Sequence, residues 1–239
     1  MNHKLLKKII ELSNKNIPFC TISQIDKNDV EVITADECDD PIKGEHINNA
    51  LKEDQLKIVN INDNEFIINP FNPSLKLIIV GAVHISQYLS KIAKLLDFDI
   101  IIVDPREAFA SKERFPNDKV INSWPEECFQ SLKINSRTAV VTLTHEPNLD
   151  DPALHFALKS ECFYIGALGS KKTHSKRIKR LQENGFNKDE IKRLNGPIGL
   201  PINASTPNEI AISIMSEIIA TLRHKNISNT ELREDWKLR

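Results

Sequence analysis

The chain is poor in glycine and has no segment long and apolar enough to cross a bilayer. Seven glycines occur in 239 residues, less than half the usual share of about 7%. No apolar run approaches the roughly 18 residues that a transmembrane helix needs, and the N-terminus has an amphipathic helix pattern rather than a signal-peptide core. We therefore expect a cytoplasmic protein whose glycines at 81, 166, 169, 196 and 199 meet backbone requirements.

The chain also lacks a large excess of either charge and lacks closely spaced pairs of cysteines. The formal net charge is −1, which gives no broad attraction to nucleic acid or to an anionic membrane. The four cysteines are Cys20, Cys38, Cys128 and Cys162, and they show no CxxC spacing. Disulfide bonds are not expected in the cytoplasm. A zinc site is not expected, because paired ligands are missing. A nucleophile elbow and a P-loop are also absent, so no catalytic residue is assigned.

The segment from Leu75 to Arg106 organises the rest of the chain. It reads LKLIIVGAVHISQYLSKIAKLLDFDIIIVDPR. Two unbroken Ile/Val runs flank a helical pattern, which is typical of parallel strands buried on both faces. The first run stops at Gly81 and the second at Asp104, roughly 20 residues later, as in a dinucleotide-binding unit. Val83 occupies the place of a second glycine, so this fingerprint is incomplete.

These patterns predict an α/β protein with a Rossmann-like parallel sheet preceded by a small α+β domain. We place the small domain at residues 1–72, the Rossmann-like domain at 73–225 and a polar tail at 226–239. The boundary is the proline-rich segment 70–73. In the small domain we predict two strand pairs and a short helix at 47–52.

The second region alternates between strands and helices. We predict a helix at 125–132 with Ser123 as its cap. Another helix is predicted to start at Pro152 with Asp151 as its cap. The later strand ending at Gly166 leads through the turn 166–170 into a basic helix.

Distinctive residues follow four of the predicted strands, at 81–84, 104–106, 144–146 and 166–174. Because ligands bind beyond the carboxyl ends of parallel strands, we expect one binding site there. Its candidate residues are Gly81, His84, Asp104, Arg106, Thr144, His145, Gly166, Gly169, Ser170, Lys171, Lys172, Thr173 and His174.

The segment GALGSKKTHSKR, residues 166–177, gives the sharpest signal. A glycine turn enters a helix whose first turn carries two lysines and a threonine. Free amides, the positive helix end and the ammonium groups favour a phosphate or carboxylate. A solvated basic face is the alternative, because the run of cations continues along the helix.

Single roles for the other candidates stay open. His145 fits a general base, a hydrogen bond to a ligand or a structural role. Asp104 fits either a ligand hydroxyl or a turn before Pro105, and Arg106 would suit a phosphate. The three histidines of this edge lack the H-x-H or i,i+4 spacing of a metal site, so no metal is expected.

Four segments resemble the Rossmann domain of the XdhC/CoxI family. They are DPREAFASKERFP, AVVTLTHEPNLDDPAL, FYIGALGSKKTHSKRIKRL and GPIGLPINASTPNEIAISIMSEIIA. The resemblance runs from about Leu75 to Leu222. It implies an accessory protein of xanthine dehydrogenase-type molybdenum hydroxylases.

The resemblance further implies a non-catalytic chaperone. It would bind the molybdenum cofactor (molybdopterin), a phosphorylated pterin, present it for sulfuration by a cysteine desulfurase and insert it into the molybdoenzyme. A homodimer is one assembly that we consider. The glycine-rich loop at 166–173 suits a phosphorylated pterin better than NAD(P).

Two departures from the family pattern indicate a short or divergent member. Family members often carry a Gly-Gly-Cys motif in a preceding domain, whereas Cys38 has no glycine beside it. The usual Gly-Ala-Gly-His turn reads Gly81-Ala82-Val83-His84 here. The alternatives are an NAD(P)-binding oxidoreductase that uses Asp104 and Arg106, and a partner-docking module without a ligand.

Overall fold

The computed structural model describes residues 3–27 and 29–223, and the predicted tail at 226–239 lies outside these ranges. The chain forms two compact units, the first ending at Pro73 and the second beginning at Ser74. The first contains an antiparallel sheet and the second a parallel one. The predicted α/β class with a Rossmann-like sheet is confirmed.

Within the described residues, the first unit has four strands and two α-helices. They are α1 (His3–Asn14), β1 (Phe19–Gln24), β2 (Val30–Ile33), α2 (Pro41–Glu53), β3 (Lys57–Ile61) and β4 (Asn64–Phe71). The sheet order is β2-β1-β4-β3, and the inward faces of its strands pack with Ile47 and Ala50 of α2.

Two predictions for this unit need correction. Helix α2 begins six residues earlier than predicted, because Asp40 caps it by accepting hydrogen bonds from the amides of Ile42 and Lys43 at 2.9 and 3.2 Å. Strand β4 continues through Pro70 and Phe71, which the sequence pattern places in the boundary segment. The Phe71 ring stacks on Phe19 with centroids 4.9 Å apart.

The second unit alternates strands and helices. Its elements are β5 (Lys76–Val80), α3 (His84–Lys94), β6 (Asp99–Val103), β7 (Lys119–Ile121), α4 (Pro125–Cys128), β8 (Thr138–Thr142), α5 (Pro147–Leu158), β9 (Tyr164–Ala167), α6 (Lys171–Glu183), α7 (Lys188–Lys192), β10 (Leu194–Asn195) and α8 (Pro207–Arg223). All six strands are parallel, in the order β10-β9-β8-β5-β6-β7.

Helices cover both faces of this sheet. Leu77 and Ile79 of β5 pack with α3 and α8 on one face. Ile78 and Val80 pack with α5 and α6 on the other face. The unbroken apolar runs are therefore buried on both sides, as the sequence indicated.

In this unit the predicted start of one helix and the predicted caps of two helices are wrong. Helix α5 begins at Pro147, and Pro152 lies inside it. Asp151 does not cap it, because its carboxylate binds Arg180 instead. Ser123 does not cap α4 either, because its hydroxyl bonds to the Glu127 side chain.

No helix in the described part of the chain combines the length and apolar character needed to cross a membrane.

Candidate functional site

The chain reverses its direction of sheet growth between β5 and β8, which lie side by side. Ligands of open α/β sheets bind beside such a switch point. Gly81, just after β5, has a φ of +105°, and a Cβ atom there would lie 2.5 Å from Cγ2 of Thr144. The glycine therefore lets the ends of the two strands approach closely.

The turn after β5 is bonded to the protein's own side chains. Oδ2 of Asp104 accepts a hydrogen bond from the amide of Ala82 at 2.8 Å. The Ala82 carbonyl accepts another from Nη1 of Arg114, also at 2.8 Å. In a dinucleotide-binding protein, this turn would approach the pyrophosphate.

Asp104 itself is fully buried and forms an ion pair with Arg106. Nε of Arg106 donates to Oδ1 at 2.9 Å, and Nη2 donates to Oδ2 at 2.8 Å. Burial alone would raise the pKa of Asp104, but hydrogen bonds from Arg106 and from the Ala82 amide outweigh it and lower the pKa. Both carboxylate oxygens are engaged, which favours a role in fixing the turn over contact with ribose.

Arg106 also ties the ends of β6 and β8 together. Its Nη1 donates to Oε1 of Glu146 at 2.6 Å. The Arg106 guanidinium lies over the ring of Phe109, 4.7 Å from the ring centroid. The Arg114 guanidinium lies 5.7 Å from the same centroid. The segment DPREAFASKERFP thus forms a covering of the β5 turn.

A cavity of about 230 Å³ opens beside the start of α6, and we name it the α6 pocket. Its wall combines the end of β8 with helices α5 and α6. The lining residues are His145, Pro147, Asp150, Lys172, Thr173, Lys176, Arg177 and Arg180. Ser170 caps α6, because its Oγ accepts a hydrogen bond from the Thr173 amide at 3.2 Å.

Arg177 is the most informative residue of the α6 pocket. It is only 1% exposed. Nη2 donates to the Leu168 carbonyl at 3.0 Å and approaches Oδ2 of Asp150 at 3.3 Å. Within the described residues, Nε and Nη1 have no hydrogen-bond partner. Buried donors without acceptors are costly, so the pocket is suited to an anion that accepts from this guanidinium.

Asp150 partly offsets the charge of Arg177. Oδ1 of Asp150 accepts from the Thr144 hydroxyl at 2.7 Å. Burial raises the pKa of Asp150, although bonds from Thr144 and the charge of Arg177 act in the opposite direction. With four Lys and Arg side chains against one buried carboxyl group, the pocket remains cationic.

The structure brings several predicted site residues to this pocket. His145, Lys172 and Thr173 line it, and Thr144 and Ser170 support its wall. His145 has a φ of 65°, a region that residues with side chains seldom adopt and that is common at functional sites. Gly169 lies close to Thr173.

Other predicted residues lie elsewhere. Gly166 belongs to β9, and a Cβ atom there would lie 2.5 Å from Ile198, so this glycine serves packing rather than a binding turn. The His174 ring lies against Gly196. Lys171 and His84 are exposed at the starts of their helices. The α6 pocket is not lined by Lys171, His84, Asp104 or Arg106.

Sequence reasoning missed five lining residues, namely Pro147 and the charged residues Asp150, Lys176, Arg177 and Arg180. The three cations fitted the alternative of a solvated face. Their spacing did carry a signal, because Lys172 and Lys176, like Thr173 and Arg177, are four residues apart and share one helix face. Asp150 was assigned to a helix start because Pro152 follows closely.

Metal ligation has no support in the described ranges. Within residues 3–27 and 29–223, no three or more His, Cys, Asp or Glu side chains are grouped to hold a metal ion.

Comparisons with known proteins agree with this architecture. The family described as the XdhC Rossmann domain matches residues 77–218. A Bacillus subtilis protein, named as a probable component of xanthine dehydrogenase, is 32% identical over 155 residues, which are 64% of this chain and 45% of that protein. The molybdenum cofactor insertion chaperone PaoD of Escherichia coli is 28% identical over 155 residues, 65% of this chain and 42% of PaoD.

A crystal structure described as a xanthine dehydrogenase from Bacillus halodurans has a similar fold, with a TM-score of 0.71 and 25% identity. The match covers 95% of this chain and 69% of that one. This chain spans less than half the length of the two curated relatives. Since the family match covers more than half of the chain, the resemblance inferred from the four segments is confirmed, and the protein belongs to the XdhC family.

Proposed function

We propose that this protein binds the molybdenum cofactor as cargo and assists its insertion into a xanthine dehydrogenase-type enzyme. The observation that carries the proposal is the buried guanidinium of Arg177, whose Nε and Nη1 lack acceptors in the described chain. A phosphate oxygen would satisfy these donors, and charge-assisted bonds to phosphate are strong. The names of the two curated relatives point to the same process.

In this proposal each part of the α6 pocket has its own role. Arg177 binds the phosphate at the pocket floor, and Lys172 and Lys176 neutralise its remaining charge at the mouth. The start of α6 adds backbone N–H donors and a positive helix end. His145 is suited to donate a hydrogen bond to the same group. The chain holds and orients the cargo, and no residue is assigned a catalytic step.

Sulfuration belongs to the proposal only as a reaction carried out by a partner. Burial raises the pKa of Cys20 to about 11 and also raises the pKa of Cys128 and of Cys162. A buried thiol that resists ionisation is a poor carrier of sulfur. In this proposal a cysteine desulfurase acts on the presented cargo. This partner, a homodimer and a cytoplasmic location stay predictions.

The oxidoreductase alternative is less well supported. Asp104 accepts from Ala82 and Arg106 through both oxygens, so ribose hydroxyls would have to displace internal bonds. Val83 also places a side chain in the β5 turn, where a dinucleotide-binding protein has a glycine that lets the pyrophosphate approach. The docking-module alternative differs from our proposal in one respect, since it expects no ligand at all.

The test uses two matched pairs of lysines on α6. Lys172 and Lys176 line the pocket, whereas Lys171 and Lys179 are on the same helix and do not. We expect Lys172→Ala with Lys176→Ala to weaken molybdopterin binding about tenfold, on the order of 1.4 kcal/mol. Lys171→Ala with Lys179→Ala should change it less than about twofold.

Binding is measured by equilibrium dialysis under anoxic conditions, followed by transfer to an apo-molybdoenzyme. Failure of the wild-type protein to retain molybdopterin at micromolar concentration would overturn the proposal. Co-purification with a molybdoenzyme, without any ligand, would instead favour the docking module.

A further inference from the structure

A second cavity of about 630 Å³ adjoins the α6 pocket, and we name it the Trp124 groove. The two cavities share Pro147 and Arg180 in their walls. The groove continues over the outer side of α5, past Asp151 and His155, to the start of α4. A molecule anchored in the pocket can therefore extend into the groove.

Trp124 presents an aromatic surface to this groove. It is 45% exposed, and its ring makes no aromatic stacking contact among the described residues. Its backbone is held in place, because its carbonyl accepts hydrogen bonds from the amides of Glu127 and Cys128 at 3.0 and 3.3 Å. An exposed indole on a backbone held in this way is suited to stack on a planar ring.

Next to Trp124, the groove has one carboxylate that accepts no hydrogen bond from the described residues. Glu127 accepts from the Ser123 hydroxyl at 2.5 Å, and Asp151 accepts from Nε and Nη2 of Arg180 at 2.5 and 2.9 Å. Glu126 is exposed and makes no hydrogen bond or ion pair in the described part of the chain, and its charge acts on His155 of the same groove. A free carboxylate can accept two adjacent N–H groups of a ring.

Arg180 links the two cavities. Its bidentate pair with Asp151 holds the guanidinium in the wall that the two cavities share. On one side of this wall the pocket offers the cations of α6, and on the other side the groove offers the ring of Trp124.

We propose that the Trp124 groove binds the ring of the same molecule whose phosphate lies in the α6 pocket. The ligand class is a phosphate ester of a fused heteroaromatic ring with a 2-amino-4-oxopyrimidine edge, which offers adjacent N–H groups to Glu126. The inference rests on the proposed function, because a phosphorylated pterin belongs to this class, and it assigns specificity to Trp124 and Glu126.

The experiment uses the full chain carrying Trp236→Phe, so that Trp124 is the single tryptophan. Three ligands are measured: 6-hydroxymethylpterin phosphate, guanosine monophosphate and inorganic phosphate. Binding is followed by calorimetry and by quenching of Trp124 fluorescence. We expect Trp124→Ala to weaken binding of the pterin phosphate about tenfold and to leave the affinity for inorganic phosphate unchanged. Trp124→Phe should restore most of the affinity, and Glu126→Gln should weaken the pterin phosphate several-fold.

Tyr88→Ala is the matched control, because Tyr88 is exposed to a similar extent and lines neither cavity. Unchanged pterin phosphate affinity in Trp124→Ala, with a loss in the Lys172 and Lys176 variant, overturns the inference and leaves the proposed function standing. An equal loss of affinity for the pterin phosphate and for inorganic phosphate in Trp124→Ala also overturns the inference, because Trp124 would then act through the fold. If guanosine monophosphate binds through Trp124 and the pterin phosphate does not, the groove assignment stands and the molybdenum cofactor proposal falls.

Discussion

At the scale of single residues, the site depends on close approaches that small side chains permit. Gly81 and Thr144 end two neighbouring strands, and the space for a Cβ on Gly81 is already taken by the Thr144 methyl group. The Thr144 hydroxyl in turn fixes Asp150, which contacts Arg177. The switch point and the α6 pocket are thus joined by a short chain of direct contacts.

Gly81→Ala should destabilise the protein by at least about 2 kcal/mol, because a side chain is unfavourable at a φ of +105° and would overlap Thr144. Thr144→Ser removes the methyl group and keeps the hydroxyl bond to Asp150. The double variant should therefore recover on the order of 1 kcal/mol relative to additivity. Urea unfolding of the four proteins measures this coupling, and simple additivity would show that the overlap is relieved elsewhere.

Arg177 shows why residue identity alone was a poor guide to the site. In the sequence it is one cation among several in α6, and in the fold it is buried while the lysines of the same helix are exposed. Nε and Nη1 find no acceptor among the described residues, because the Leu168 carbonyl and the Asp150 carboxylate contact only Nη2.

At the scale of elements, the helix starts determine where donors and charges point. Helix α6 begins with a Ser170 cap directly after β9, so its first turn faces the carboxyl edge of the sheet. Helix α5 begins at Pro147, five residues before the predicted proline. That earlier start puts Asp150 on the buried side of the first turn, where it meets Thr144.

The start of α8 gives a pH-dependent prediction. Hydrogen bonds from the amides of Ser205 and Thr206 lower the pKa of Glu209 to about 2. Since an unfolded glutamate titrates near 4.3, this carboxylate stabilises the fold above about pH 4.3, and its contribution is lost as the pH falls towards 2.

Glu209→Gln should accordingly lower the melting temperature at pH 7, and the difference from the wild-type protein should shrink between about pH 4.3 and 2. Thermal unfolding followed by circular dichroism across this range provides the measurement. Glu161→Gln, at an exposed glutamate, is the control and should show almost no difference. A Glu209→Gln difference that stays constant with pH would contradict the capping role.

At the scale of the whole molecule, the chain consists of two compact units with apolar clusters of their own. Two clusters lie within the first unit, and two cover the faces of the parallel sheet in the second. The α6 pocket and the Trp124 groove are both lined by residues of the second unit.

A fragment comprising residues 74–239 should therefore fold by itself and unfold cooperatively. Its sheet is covered by helices on both faces, which supplies a core of ordinary size for such a domain. Circular dichroism during thermal unfolding checks this, and calorimetry with inorganic phosphate should give an affinity within about twofold of the full chain. A fragment without a cooperative transition would contradict the predicted domain boundary.

The sequence by itself determined the class of fold and most of its elements. Unbroken apolar runs such as those at 77–80 and 100–103 specify buried parallel strands, and the capping signals at Asn187 and Thr206 specify helix starts, because both kinds of signal act over a few neighbouring residues. The family resemblance also followed from the sequence, since its four motifs are long and occur in order.

Only the tertiary structure decided which candidates line the α6 pocket. It brought His145, Lys172 and Thr173 together with Arg177, which was not a candidate, engaged Asp104 and Arg106 with the β5 turn, and turned Asp150 inward. These outcomes depend on contacts between residues distant in the chain, such as Asp150 with Arg177 and Arg106 with Glu146. Local patterns do not encode such contacts, because they arise when the strands pair in their order in the sheet.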